Sequence, residues 1–241
     1  MTQVPSDYLF DLQALAKEDC RAVLFYDQLG CGRSDAPPVE SGLYGVESSI
    51  TQLREVLSAT GIANKPHHLY GQSWGGLLAF LHLASSTSAM PLSLTLSNTP
   101  SSVALVEAEA GRLLRECGDD VARFMARHNF RGSDSDAAQQ RLDAAYAHAG
   151  STWRGSGAIP GLEVDSKELQ VVTCPTLILR GEHDFVTDAC VDAWRGLPNA
   201  HLHVLPGASH HALLEAPERY LDVLGAFLRE SEAQVESPAS P

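Results

Sequence analysis

The sequence predicts an α/β fold, a parallel sheet with a small inserted helical cap, on two observations. Short β-rich runs alternate with helical patterns, as happens when crossover helices link parallel strands. One stretch, from about Ser101 to Val172, breaks that alternation and carries helical periodicity instead. A chain of 241 residues that is 44% hydrophobic and 20% charged is large enough to bury such a core as one unit.

The elements follow in order. Ala22–Tyr26 is an apolar run ended by Asp27 and reads as a buried strand. Ile50, Leu53 and Leu57 recur at helical spacing until Gly61 stops the helix. His68–Tyr70 reads as a strand leading into Gly71, with an apolar helix from Gly75 through Ala84. Ser93–Ser97, Thr176–Arg180 and His201–Leu205 are the remaining predicted strands. Tyr220, Leu221, Leu224, Phe227 and Leu228 share one face of a closing helix. Within the insert, Val103, Val106, Ala110, Leu113 and Cys117 mark a first helix. Val121, Phe124, Met125 and His128 mark a second, and Leu142, Ala145, Tyr146 and Ala149 a third. The expected division is a core of 1–98 and 173–230, a cap of 99–172 placed over the sheet's rim, and a polar, Pro-containing tail at 231–241 that is disordered.

A net charge of −13 argues against a nucleic-acid or anionic-membrane partner, which calls for clustered Lys and Arg. The five cysteines are scattered, with no C-x-x-C, which suits reduced thiols. The opening MTQVPSDYLF lacks the basic and apolar regions of a secretory signal, and no apolar run reaches the length of a membrane span. A soluble, cytoplasmic protein acting on a small molecule or short peptide is expected.

Gly71-Gln72-Ser73-Trp74-Gly75 is a G-x-S-x-G pentapeptide between a predicted strand and a predicted helix. A nucleophilic serine on such a sharp turn is exposed at the carboxyl end of the sheet, and the turn sets the Trp74 N–H and the helix's positive end beside a developing oxyanion. A serine hydroxyl needs a base, and the base an orienting acid. Asp184 follows the strand Thr176–Arg180, and His210 follows His201–Leu205, so both emerge at the same rim in the order Ser, acid, His. Glu182 and His211 are the competing acid and base, while His183 is expected to point away. His201 and His203 share one face of a strand but lack further ligands at metal spacing, so no metal is expected. Gly30-Cys-Gly32 lacks the third glycine of a dinucleotide loop, because position 35 is Asp. No cofactor is implied.

Four segments together resemble the proline iminopeptidase branch of the α/β-hydrolases. They are Phe25-Tyr-Asp-Gln-Leu-Gly-Cys-Gly-Arg-Ser-Asp35, Tyr70-Gly-Gln-Ser-Trp-Gly-Gly76, Arg180-Gly-Glu-His-Asp184, and Ser209-His210 with Glu215-Ala-Pro-Glu218. The resemblance spans roughly 6–98 and 172–229. It implies cleavage of a small amino-terminal residue from peptides, or hydrolysis of related amides and esters, with Ser73 as nucleophile, Asp184 as orienting acid and His210 as base.

Two departures from the family pattern carry further expectations. The family's His-Gly-Gly-Pro-Gly turn, which supplies a second oxyanion donor, precedes a helix that here reads Tyr8–Ala16, only a few residues after Met1. The sequence therefore reads as amino-terminally truncated, with a strand missing between Ala22–Tyr26 and His68–Tyr70, poor solubility, and activity lowered by the roughly 10²–10³ that one such donor contributes. The family's cap glutamates, which grip the substrate ammonium group, have no matching motif in Ala144–Gly157, leaving Glu107, Glu109 and Glu163 as substitutes. An esterase or lactone hydrolase in a biosynthetic pathway is the alternative activity, and a catalytically impaired binding protein the alternative of another class.

Overall fold

The computed structural model describes residues 4–18, 20–86, 89–132, 136–149 and 161–236. A 3-10 helix, Ser6–Gln13, runs into α1 (Ala14–Glu18). Next come α2 (Val46–Ala59), β1 (His68–Gln72), α3 (Trp74–Ala84) and β2 (Ser93–Ser97). The excursion that follows holds α4 (Val103–Glu116), α5 (Val121–Phe124) with a π turn at Met125–Asn129, α6 (Ala137–Ala147) and α7 (Ser166–Val171). The chain then returns through β3 (Thr176–Gly181), α8 (Asp188–Val191), β4 (Ala200–Leu205), α9 (Ala212–Glu215) and α10 (Pro217–Glu236). The four strands lie parallel in the order β1-β2-β3-β4.

Local chemistry explains the boundaries of the excursion. Ser102, Asp120 and Asp136 each accept a backbone N–H of the helix they precede, and Asp165 with Glu168 closes a capping box on α7. α3 is apolar on nearly every side and is buried as such, with Leu77 and Phe80 fully covered. The sheet separates two clusters. Ile178 faces the α3 side, with Phe80 and Trp194, whereas Leu177 and Leu179 face Leu224 and Phe227 of α10. This is the period-two alternation of a strand covered on both faces.

Two sequence expectations are corrected. Ala22–Tyr26 is not a strand, because nothing pairs with it: among the described residues no backbone hydrogen bond joins it to β1. Between them lies a cavity of about 1180 Å³, bordered by Val23 and Phe25 on one side and Leu69 on the other. Ser73 N–H bonds Ser97 O and Asn98 N–H bonds Leu179 O. By strand alternation, the backbone groups of His68, Tyr70 and Gln72 therefore face the cavity and not β2. The second correction is at the carboxyl end, where residues 231–236 extend α10 instead of starting a disordered tail. Ser231 Oγ donates to Phe227 O, and Glu232 accepts both Arg21 Nε at 2.7 Å and Arg21 Nη2 at 2.8 Å while contacting His68 Nε2 at 3.2 Å. These contacts pull the Glu232 carboxyl down to about 2, mainly through the Arg21 hydrogen bonds. Residues 237–241 lie outside the described residues.

Candidate active site

Ser73 caps α3 with φ 52° and ψ −120°, a positive-φ conformation that a non-glycine residue holds only when its surroundings force it. The glycines that permit this turn are not those the motif alone suggests. A Cβ at Gly71 would run into the backbone of Gly75 and Gly76, and one at Gly76 would run into the Thr99 side chain. Gly75 has open space around its missing Cβ. Gly71 and Gly76 are thus the sterically required pair. Trp74 opens the first turn of α3, and its indole Nε1–H donates to Gln28 Oε1 at 3.0 Å, tying the elbow to the loop after Asp27.

That loop is built around Asp27, which accepts Ser6 N–H at 2.8 Å, Ser6 Oγ–H at 2.9 Å and Arg33 N–H at 3.0 Å. Burial pushes the Asp27 carboxyl up, but these donors together outweigh it and leave the group below its ordinary value. A Cβ at Gly32 would run into the Asp27 side chain, so the Gly-Cys-Gly sequence is the wrapping of a carboxylate and not a phosphate loop.

Asp184 and His210 are brought together directly: His210 Nδ1–H donates to Asp184 Oδ1 at 2.9 Å. Oδ1 also accepts Val186 N–H at 2.9 Å, while the buried Oδ2 has no partner among the described residues. The two loops touch at Gly181, where a Cβ would press into the carbonyls of Ala208 and Ser209. Asn98, at φ 49°, donates Nδ2–H to the carbonyls of Ser209 and His210 at 2.9 Å each, and Gln72 Nε2–H donates to His210 O at 2.7 Å. The ring of Phe185 lies 4.2 Å from that of His210. Ser73 and His210 border the same cavity, with no hydrogen bond between their side chains among the described contacts. The insert reaches this cavity through Val106 and Glu107 of α4, Met125 and Asn129 of the π turn, and Tyr146 of α6.

The competing residues are occupied elsewhere. Glu182 Oε2 accepts Gly207 N–H at 2.8 Å. His211 lies between Tyr146, at 3.1 Å from its Nε2, and Gln72, at 3.4 Å from its Nδ1. Burial and the neighbouring His210 hold its pKa well below the ordinary value, so it stays neutral. Glu109 pairs with Arg112 and Thr187, and Glu163 lies exposed, bridged to Ser102. Glu107 alone of the three borders the cavity. His201 and His203 are both exposed on β4, and the described residues hold no metal-binding group of three or more. No helix among them is long and apolar enough to cross a membrane.

Sequence reasoning assigned no role at the site to Asn98, to Glu215 of the Glu215-Ala-Pro-Glu218 segment, or to His128 of the second cap helix. The signals were faint: an Asn in the turn after β2, which tolerates left-handed backbone, and a carboxylate shortly after the histidine loop. Glu215 Oε2 accepts Ser209 N–H at 2.5 Å, and its other oxygen accepts Ser209 Oγ–H.

Comparison with known proteins agrees with this architecture. The chain is 28% identical over 251 residues to a proline iminopeptidase of Heyndrickxia coagulans, covering 91% of this chain and 85% of that protein. The crystal structure of proline iminopeptidase from Mycobacterium smegmatis superposes with a TM-score of 0.81 at 26% identity, covering 97% of this chain and 88% of that one. VinJ superposes at 0.79 and 26%, over 94% and 86%. A sequence model of the alpha/beta hydrolase family matches residues 4–223, and with the parallel sheet, the strained Ser73 turn and the two rim loops in place, the chain belongs to that family.

Proposed function

We propose that the protein is a serine hydrolase of proline iminopeptidase type, cleaving a small amide, an amino-terminal peptide bond or an ester through an acyl-enzyme on Ser73. The observation that carries this reading is the 2.9 Å Asp184–His210 bond at the cavity that Ser73 also borders. In the reaction, His210 Nε2 takes the Ser73 proton as Oγ attacks the carbonyl and then returns it to the leaving group. Asp184 holds Nδ1–H and stabilises the imidazolium, and water repeats the cycle to release the acid. Trp74 N–H and the α3 amino terminus serve the oxyanion. The enzyme has no need of a metal or cofactor for this chemistry. Unpaired cysteines suit a reducing compartment, so a cytoplasmic location belongs to the same proposal.

A fluorophosphonate probe is expected to label the wild-type protein at Ser73. Labelling of equal extent in Ser73→Ala would overturn the assignment.

Glu107 favours the peptidase reading over the esterase one, because it sets a carboxylate from the cap at the cavity, where a substrate's ammonium group can meet it. Glu107→Gln is expected to raise KM for proline and alanine aryl-amides about tenfold, the equivalent of ~1.4 kcal/mol of lost charge pairing. Hydrolysis of short-chain neutral esters should stay within about twofold of wild type, since these carry no ammonium group. Equal losses on both classes, or none on either, would remove Glu107 from substrate recognition, and a wild-type enzyme active on esters alone would favour the esterase reading.

A further inference from the structure

We propose that the cap segment His128–Arg131 is a strap that positions the acid–base pair, with His128 as its anchoring residue. The inference rests on the reading of Asp184 and His210 as that pair.

Those two residues stand on separate loops, after β3 and after β4, and their geometry depends on both loops keeping one relative position. His128 bonds each of them. Its Nδ1–H donates to His183 O, beside Asp184, at 2.7 Å, and its own carbonyl accepts His210 N–H at 3.2 Å. The next residue repeats the second contact, with Asn129 O accepting His211 N–H at 3.1 Å. Two residues on, Arg131 N–H donates to Glu215 Oε1 at 3.1 Å, and Glu215 holds Ser209.

Helix ends explain why the cap can do this. The last carbonyls of a helix lack intrahelical partners. In the π turn Met125–Asn129 two of those carbonyls, at His128 and Asn129, are turned to the histidine loop and take its N–H groups. π turns recur at functional sites, where the added residue re-aims the chain. Aromatic packing continues the connection: Phe124 lies 5.5 Å from His128 and 6.0 Å from Phe185, which covers His210. The carboxyl end of the π turn is therefore fastened to the rim, and substrate enters without that segment lifting.

Two substitutions at His128 separate hydrogen bonding from packing. His128→Phe keeps an aromatic ring against Phe124 and removes the donor to His183 O. His128→Asn removes the ring and keeps an N–H donor at a similar reach. If His128 positions the pair, the Phe variant loses about 10- to 100-fold in kcat, as a misplacement of about 1 Å does, with KM within about threefold. Labelling of Ser73 by the fluorophosphonate slows in parallel, and the Asn variant stays within about threefold of wild type. An Asn variant worse than the Phe variant, or two variants like wild type, would overturn the proposal. Should His128→Phe not fold, Glu215→Gln takes its place: a fall in kcat at constant KM supports the strap, and unchanged kcat overturns it. A Ser73→Ala protein as active as wild type would sink the reading of the site itself, a result the His128 variants cannot produce.

Discussion

Replacing His210 with alanine is expected to lower kcat on the order of 10⁶-fold, as removal of the base does in a serine triad. Asp184→Asn is expected to cost far less, and the reason is specific to this geometry. Asp184 Oδ1 accepts both His210 Nδ1–H and Val186 N–H, whereas Oδ2 has no partner among the described residues. An asparagine can keep its carbonyl in the Oδ1 position and place its NH₂ where Oδ2 now lies, so both hydrogen bonds and the His210 tautomer survive. What is lost is the negative charge opposite the imidazolium, about 3–5 kcal/mol for one partner of a buried pair, or roughly 10²- to 5 × 10³-fold in rate. A loss of about 10⁴ or more would mean that the amide has turned over and forced the other tautomer. Steady-state kinetics on an aryl-amide or short-chain ester read both variants. A loss below tenfold for Asp184→Asn would remove Asp184 as the orienting acid.

Trp194→Ala is expected to be the most damaging single change to stability away from the site. Trp194 is fully buried, its ring meets Phe80 edge-on at 4.8 Å, and its Nε1–H donates to Thr99 O at 2.8 Å. Truncation removes about 3–5 kcal/mol of packing in a core that collapses only partly. It also leaves a buried carbonyl unpaired, a further ~1–3 kcal/mol. At about 2–4 °C per kcal/mol for a chain of this size, melting should fall by roughly 10 °C or more. Trp194→Phe keeps most of the packing and loses only the hydrogen bond, so it should melt between the two. A Trp194→Ala protein melting within about 2 °C of wild type would show that this cluster is not the keystone its burial implies, against the usual cost of such truncations.

How far the sequence disclosed the fold depended on whether an element's signal was internal to it. β1 to β4 and α3 announce themselves through apolar runs, and the Gly-containing turns after β1, β3 and β4 fix Ser73, Asp184 and His210 at one rim. Ala22–Tyr26 carries the same apolar signal and is not a strand, because pairing is a property of two segments and composition reports on one. α10 outlasts the expected start of the tail because Glu232 is held by Arg21 and His68, distant in sequence and invisible to any local pattern. The site showed the same division. The three residues proposed for the chemistry lay in motifs, whereas His128 and Asn98, which hold backbone groups of the histidine loop, bear none, and Glu215 lay in the Glu215-Ala-Pro-Glu218 segment without a sign of its hold on Ser209. Gly75 illustrates the converse, a motif position whose missing side chain has space around it while Gly76 beside it has none.

Ser73 rides on a strand secured along a single edge. β1 is bonded to β2 on one side, and on the other His68, Tyr70 and Gln72 turn their amides toward the cavity. Asp184 instead follows β3, which is bonded to β2 and β4 on its two sides, while His210 follows β4, the sheet's other edge. Local opening draws first on the segments with the fewest buried partners. Ser73 and His210 thus stand on the two edges of the sheet and Asp184 at its interior, so opening of either edge strand would be enough to break up the proposed triad while β2 and β3 stay paired.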